Sequence, residues 1–240
     1  MSDLTIVIRR QMSAEDRPYY QRFSCDASSS EMTVADFLRK LNQRDPPVDA
    51  SGNAAEPVCW ECACLQGRCG ACAMRINRHP ALACSVFLNE AADKHGVILL
   101  EPLSKFPVVR DLKVDRSVIF ENMKKMKLHL SNRDSSEFGH RPDLQDAASM
   151  CCQCGLCLEV CPSFAPGTDF AGAAAMVKAG KILDQNSRDG HFEEMASEYR
   201  FRFFDKCCQS LSCLTVCPLH LPLDDLQAWT NALAVWKKLF

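Results

Sequence analysis

The sequence has no excess of charge of either sign. Its 240 residues contain 28 lysine and arginine side chains against 30 aspartates and glutamates. A strongly basic chain would favour nucleic acid or an anionic membrane surface, and this composition favours neither. We therefore expect no nucleic acid among the partners.

Two hydrophobic patterns are also missing. No run of about 18 uncharged apolar residues, the length that a membrane-spanning helix requires, occurs in the chain. Arg9 and Arg10 stand together near the start, but polar residues follow them rather than the apolar segment of an export signal. We therefore expect a protein that stays in the cytoplasm and does not cross a membrane.

Cysteine, by contrast, is abundant, with 16 in the chain. A reducing cytoplasm disfavours a disulfide framework, so thiolate ligation of metal is the expected role. Apart from Cys25, the cysteines fall into three groups, at 59–84, 151–161 and 207–217. No pattern of nucleophile and base is recognisable, so we predict no catalytic residue.

The first group contains the spacing C-x4-C-x2-C-x11-C, formed by Cys64, Cys69, Cys72 and Cys84. Three thiolates in a tight loop and a fourth farther along are typical of a plant-type [2Fe-2S] site. Gly67 and Gly70 favour this interpretation, because glycine lets backbone N–H groups approach sulfur closely. A zinc site is the alternative, although zinc prefers paired C-x2-C units. Cys59 and Cys62 are expected to be small packing residues.

The second and third groups each end in Cys-Pro, and the second has the spacing C-x2-C-x2-C-x3-C-P of bacterial ferredoxins. In two-cluster ferredoxins the fourth cysteine of such a run binds the other cluster. This exchange predicts a [4Fe-4S] site held by Cys151, Cys154, Cys157 and Cys217. A second site would be held by Cys161, Cys207 and Cys213.

Ser210 stands where the third group would need its next cysteine. Three thiolates most naturally hold three irons, so we predict a [3Fe-4S] cluster at this site. Cys208, one position out of register from Cys207, is the alternative ligand, and a pair of zinc ribbons is the alternative for both runs. Otherwise Cys152 and Cys208 are expected to be packing residues.

The patterns between the cysteine groups divide the chain in two, and the predicted fold class is α+β. Residues 1–110 predict a β-grasp, plant-type ferredoxin domain, with strands at 4–10, 19–25, 71–77 and 96–102 and a helix that begins at Thr33. Residues 111–240 predict an all-α, bacterial-ferredoxin-like domain. Its two apolar stripes are Ile119, Met123, Met126 and Leu130, and Leu226, Trp229, Leu233 and Trp236. We expect the second stripe to be core rather than a contact with an anchor subunit.

A [2Fe-2S] motif followed by two ferredoxin runs, one of which lacks a cysteine, is a specific combination. It resembles the iron–sulfur subunit of succinate dehydrogenase and fumarate reductase. Segment 99–115 also resembles the family's interdomain segment, and 169–189 its helix after the [4Fe-4S] run. The resemblance covers nearly the whole chain.

The resemblance implies the electron-transfer subunit of a quinone-linked oxidoreductase, with [2Fe-2S], [4Fe-4S] and [3Fe-4S] clusters in that order. It implies a flavoprotein partner that carries FAD at one end. At the other end it implies membrane anchor subunits and a quinone site, so that the chain lies peripherally on the cytoplasmic side of the membrane.

Three departures from the family pattern accompany the resemblance. Ala165 and Pro166 stand where the family's quinone pocket typically has tryptophan, and Cys208 where it often has histidine. Leu65 stands where arginine is usual, beside the first motif, where it would alter that cluster's potential. The first two departures put a quinone site in question and favour a fumarate reductase or a divergent relative.

Three alternative functions stay open: a free ferredoxin-type carrier, a zinc-binding scaffold, and the same relay serving a flavoprotein with another substrate or a soluble electron donor. Iron with acid-labile sulfide would exclude the scaffold. A stable lone monomer would favour the carrier, and the identity of the partner would decide the third.

Overall fold

A computed structural model describes residues 4–26, 31–130, 141–186 and 190–236. The chain divides into two compact units, Met1–Asp115 and Arg116–Phe240. The first cysteine group lies in the first unit, and the other two groups lie in the second.

The first unit contains a mixed five-stranded sheet in the order β2-β1-β5-β3-β4. Its strands are β1 (Leu4–Arg10), β2 (Tyr19–Cys25), β3 (Ala73–Ile76), β4 (His79–Leu82) and β5 (Val97–Glu101). β1 pairs antiparallel with β2 and parallel with β5, which pairs antiparallel with β3. Alternation along β1 and β5 buries Ile6, Ile8, Ile98 and Leu100 completely. The predicted sheet-containing ferredoxin-like fold is confirmed.

Helix α1 (Val34–Asn42) begins where the sequence predicts. The Thr33 hydroxyl accepts a hydrogen bond from the Asp36 amide at 3.1 Å and donates one to the Asp36 carboxylate at 2.8 Å. The buried face of the helix contains Val34, Phe37, Leu38 and Leu41. This is the predicted apolar stripe, and it packs as a core face. A single-turn helix, α2 (Leu88–Ala91), follows later in the unit.

Two features of the first unit are absent from the sequence prediction. Strand β4 contains Pro80, which removes a backbone donor and obscures a strand pattern, but β4 is an edge strand, where proline is tolerated. Strands β6 (Val108–Arg110) and β7 (Lys113–Val114) form a separate hairpin. Both are too short to show an alternating pattern in the sequence.

The described residues of the second unit form helices joined by loops, with no strand among them, which confirms the predicted helical region. Its helices are α3 (Ser117–Lys125), α4 (Pro142–Ser149), α5 (Leu156–Val160), α6 (Gly172–Gln185), α7 (Gly190–Arg202), α8 (Ser212–Thr215) and α9 (Leu223–Ala234). Helix α6 is central and packs against α3, α4, α5, α7 and α9. Gly180 allows the close approach of α9, because a side-chain carbon there would collide with Thr230 Oγ1.

In both predicted apolar stripes, the last residue lies outside the helix and is exposed. Helix α3 stops short of Leu130, because Lys127 adopts a left-handed backbone (φ 55°) that ends the helical path. Leu130 is 51% exposed. Helix α9 stops before Trp236, which is 54% exposed, whereas the other three members of that stripe are buried. The core interpretation is therefore confirmed for three residues and wrong for Trp236.

The second unit's α6, with 14 residues, is the longest described helix. Within the described ranges, no helix combines the length and apolar character needed to span a bilayer.

Candidate metal centres

Backbone amides in the first cysteine group point at its sulfur atoms. Three of them donate to Cys64 Sγ at 3.3–3.4 Å, from Gln66, Arg68 and Cys69. The Gly67 amide donates to Cys84 Sγ at 3.2 Å. Hydrogen bonds of this kind stabilise a thiolate, and they are the surroundings in which cluster ligands are held.

The loop between α1 and β3 and the turn after β4 bring the four predicted thiols of this group together. Cys72 Sγ lies 3.4 Å from Cys84 Sγ, and the Cys64 amide donates to Cys69 Sγ at 3.5 Å. Hydrogen bonds from the Gln66 and Arg68 amides lower the pKa of Cys64 to about 7. Burial raises the pKa of Cys72 to about 12. The four thiols thus form one group with one favoured thiolate and one strongly buried member.

The amides reach the sulfurs because the loop backbone is left-handed at three places. Gly67 and Gly70 have φ of 70° and 72°, and Leu65 has φ of 56°. A side-chain carbon at residue 67 would lie 3.1 Å from Ser85 Oγ, a tight contact, so both the backbone angle and the available space favour glycine there. Leu65 adopts the same region against a cost of roughly 1–2 kcal/mol. The backbone of the loop therefore follows the requirement that amides reach the sulfur atoms, even where a residue's own conformational preference opposes it.

A fully buried ion pair holds the segment that leads into this loop. Arg10 Nε lies 3.0 Å from Asp111 Oδ1, and neither side chain has exposed surface. Asp111 also accepts the Cys59 amide at 2.8 Å, and Arg10 donates to the carbonyls of Glu56 and Pro57 at 3.1 and 3.3 Å. Removal of one partner from a buried pair typically costs about 3–5 kcal/mol. No local sequence pattern reveals this pair, because its members are 101 positions apart.

The second group of predicted ligands surrounds a pocket in the second unit. Its lining includes Cys151, Cys154, Cys157 and Cys217, with Ala173, Ala174 and Val177 of α6 as an apolar wall. Burial raises the pKa of Cys151 and of Cys157, and charge on Cys217 raises both further. Cys217 belongs to the later run in sequence but lies with the earlier run in space.

The third group of predicted ligands is also brought together. Burial raises the pKa of Cys207 and of Cys213, and charge on Cys161 raises both further. Cys161 thus lies near enough to both cysteines for its charge to act on them. Ser210, at the place of the missing cysteine, accepts a hydrogen bond from the Ser212 hydroxyl at 3.2 Å.

Four further cysteines lie close to these groups in sequence. Cys59 and Cys152 are half-buried, in keeping with a packing role. Cys62 and Cys208 are exposed, so the packing prediction is wrong for both. Each lies in an irregular loop with no helix or sheet face to bury it, and the Cys208 amide donates to Ser163 Oγ at 3.4 Å.

The donor atoms fit iron–sulfur clusters. Every predicted ligand is a thiol, and amide hydrogens point at sulfur in the first group and, through Ala174, at Cys157 in the second. Soft thiolates surrounded by N–H donors are the ligands that such clusters use. Among the described residues, no three His, Cys, Asp or Glu side chains are arranged to hold a single metal ion.

Two family models match the chain. A 2Fe-2S iron–sulfur cluster binding domain matches residues 5–121, and a 4Fe-4S dicluster domain matches residues 147–221. The two kinds of domain follow each other in the order predicted from the cysteine spacing.

Several known proteins are similar to this chain over most of its length. The succinate dehydrogenase iron–sulfur subunit of Bacillus subtilis is 29% identical over 240 residues, which cover 95% of this chain and 91% of that protein. The fumarate reductase iron–sulfur subunit of Haemophilus influenzae is 30% identical over 196 residues, 72% of this chain and 75% of that protein.

A chain of the Mycobacterium smegmatis Sdh1 complex in the apo form has a similar structure, with a TM-score of 0.74 and 21% identity. The match covers 98% of this chain and 97% of that one, and it supports the fold. The curated relatives and the two cluster-binding domains lead to one assignment. The chain belongs to the family of succinate dehydrogenase and fumarate reductase iron–sulfur subunits.

Proposed function

We propose that this chain is the electron-transfer subunit of a succinate dehydrogenase or fumarate reductase complex. In this role it passes electrons between a flavoprotein subunit and a quinone site at the membrane. The observation that supports the proposal is the grouping of thiols at separate places in one chain, with Cys217 in the lining of the pocket that Cys151, Cys154 and Cys157 also line. Relatives of the chain are named as iron–sulfur subunits of these two enzymes.

Each cluster is assigned to one thiol group. The [2Fe-2S] cluster would be held by Cys64, Cys69, Cys72 and Cys84, in a domain over residues 1–110. The helical domain over residues 111–240 would hold the other two. The [4Fe-4S] cluster would be held by Cys151, Cys154, Cys157 and Cys217. The [3Fe-4S] cluster would be held by Cys161, Cys207 and Cys213.

Bound clusters would supply one-electron redox chemistry at potentials that depend on cluster type, charge and hydrogen bonds to sulfur. The residues of this chain would position the cysteine sulfur atoms and direct backbone amide hydrogens at them. The amides of Gln66, Arg68 and Gly67 do this in the first group. No residue of the chain is assigned a proton transfer or a nucleophilic role.

The partners follow from the names of the relatives and from the division of chemistry. The family resemblance implies that hydride chemistry on a four-carbon dicarboxylate belongs to a partner flavoprotein, so FAD would reside on that subunit. Membrane anchor subunits would provide the quinone site at the far end, with this chain peripheral to the membrane on its cytoplasmic side. The described helices, none of which is able to span a bilayer, are consistent with a peripheral position.

The proposal is tested on the complex purified from its own membranes. Metal analysis should give iron and acid-labile sulfide in nearly equal amounts, with a flavoprotein present. EPR should show a [3Fe-4S] signal in oxidised samples and a [2Fe-2S] signal in reduced ones. Zinc with negligible iron would overturn the proposal in favour of a scaffold. Electron delivery by a soluble donor, with no response to added quinone, would overturn the quinone-linked role.

A further inference from the structure

A side-chain amide from α9 reaches a sulfur of the third thiol group. Gln227 Nε2 donates to Cys207 Sγ at 3.8 Å, a separation suited to the large radius of sulfur. The two residues lie 20 positions apart, and both are half-buried. An N–H group directed at sulfur favours a sulfur atom that carries negative charge.

The surrounding helices fix the position of Gln227. Asn231 lies one helical turn after it on the same face of α9. The buried Tyr199 of α7 donates its hydroxyl hydrogen to Asn231 Oδ1 at 2.6 Å. This bond sets the rotation of α9 relative to α7, and it therefore holds the amide of Gln227 toward the sulfur.

The backbone at Cys207 is anchored to a residue with a buried aromatic ring. The Cys207 amide donates to the carbonyl of Phe203 at 2.9 Å, and the Phe203 ring stacks on Tyr199 with centroids 5.4 Å apart. Both rings are buried. The backbone that carries the sulfur is thereby fixed, and Cys207 is half-buried, where a hydrogen bond is stronger than one in water.

We propose that Gln227 is a positioning residue that raises the reduction potential of the cluster bound through Cys207. Reduction by one electron breaks no bond in the chain but adds negative charge to the cluster and its sulfur ligands. An N–H group directed at one of those ligands favours the form with more negative charge. The effect requires no change in the ligand set, so it is specific to potential rather than to cluster assembly.

This inference rests on the proposed function, and it is tested by EPR-monitored redox titration of the purified complex. Gln227→Leu removes the donor at similar size, and Gln227→Glu replaces it with a negative carboxylate. The expected order of third-cluster potentials is wild type highest, Gln227→Leu lower and Gln227→Glu lowest. The potentials of the [2Fe-2S] and [4Fe-4S] clusters should stay in place.

Asp224→Asn is the matched control. Asp224 is an exposed residue on the same helix, so this variant changes the charge by one without touching Cys207. It should shift the third-cluster potential much less than Gln227→Glu does.

Three results would overturn the role of Gln227: an unchanged potential in Gln227→Leu, equal shifts in all three clusters, or a control shift as large as that of Gln227→Glu. If one variant fails to assemble, the other still decides the direction of the shift. Absence of a [3Fe-4S] signal in the wild-type complex would instead overturn the cluster assignment, so the two failures are distinguishable.

Discussion

The two Cys-Pro runs of the second unit, 151–162 and 207–218, turn at the same two places. Gln153 and Gln209 occupy equivalent positions and have φ of 54° and 55°. Two residues later the backbone is left-handed again, with φ of 88° at Gly155 and 53° at Leu211. A short helix follows in each run, α5 in the first and α8 in the second.

The side chains of the two runs differ where their backbones agree. Ser210 takes the place of Cys154, and Leu211 takes the place of the glycine at the second turn. A leucine held in the left-handed region costs roughly 1–2 kcal/mol relative to a conformation it prefers. The two loops therefore follow the same backbone path. The second loop nevertheless lacks one sulfur donor and has a less favourable residue at its second turn. The comparison indicates that the backbone path and the number of sulfur donors are separable properties.

The largest expected effect tests the exchange of cysteines between the runs. Cys217→Ala should abolish the [4Fe-4S] signal and keep the [3Fe-4S] signal, and Cys161→Ala should do the reverse. Because a ligand is lost, quinone-linked activity should fall by more than roughly hundredfold, beyond the effect of residues that only support ligands. EPR of each purified complex is the measurement. If each variant lost the cluster of its own run, the exchange would be wrong.

The second-largest effect is expected from a variant that removes the main chemical difference between the two runs. Ser210→Cys supplies the fourth thiol on a loop that already has the required path, so the third cluster should gain an iron. The oxidised [3Fe-4S] signal should then disappear from most molecules. Ser212→Cys is the control, since its hydroxyl lies only 3.2 Å from that of Ser210. A control that loses the signal equally, or a Ser210→Cys variant that keeps it, would contradict the assignment.

A smaller effect concerns the turn itself. Leu211→Gly relieves the left-handed strain, and after the entropy cost of glycine the gain should be about 0.5–1 kcal/mol. Leu214→Gly, inside α8, should instead destabilise by about 1 kcal/mol. Thermal unfolding of the complex should therefore move in opposite directions for the two variants. Loss of stability in both would show that strain at Leu211 is negligible.

The smallest effect concerns the extra thiols at equivalent positions. Cys152→Ser and Cys208→Ser should each leave all three clusters and the activity in place, because neither thiol is needed as a ligand. Iron content and EPR of the two variants give the comparison. Loss of the third cluster in Cys208→Ser alone would make Cys208 a ligand and revise the assignment of Cys207.

The features that could be predicted from the sequence are those that depend on patterns among neighbouring residues. Strand β1 alternates buried and less buried residues, and Thr33 precedes a helix with a clear apolar stripe. The cysteine groups are equally local, since each needs only a spacing and a following Pro or Gly. Such features depend on residues that are close together in the sequence, so they can be recognised before any tertiary structure is known.

The parts that the sequence did not reveal depend on distant residues or on single backbone angles. Arg10 resembles any charged residue until Asp111 is placed beside it, and Gln227 resembles any polar helix residue until Cys207 is near. Helix α3 ends at a left-handed Lys127, which carries none of the usual glycine or proline signals. These features arise from tertiary packing, and no periodic pattern in the sequence indicates them.

The buried pair of Arg10 and Asp111 imposes an order of events during biosynthesis. Its acidic partner is made 101 positions after its basic one, and the thiol loop lies between them. While the chain is still emerging from the ribosome, Cys64 is already present, but the anchor for the segment before it does not yet exist. A nascent chain that has not reached residue 111 therefore lacks the ion pair that holds residues 56–59, just before the thiol loop. Delivery of iron and sulfide is best matched to a chain whose first hundred or so residues have already been synthesised.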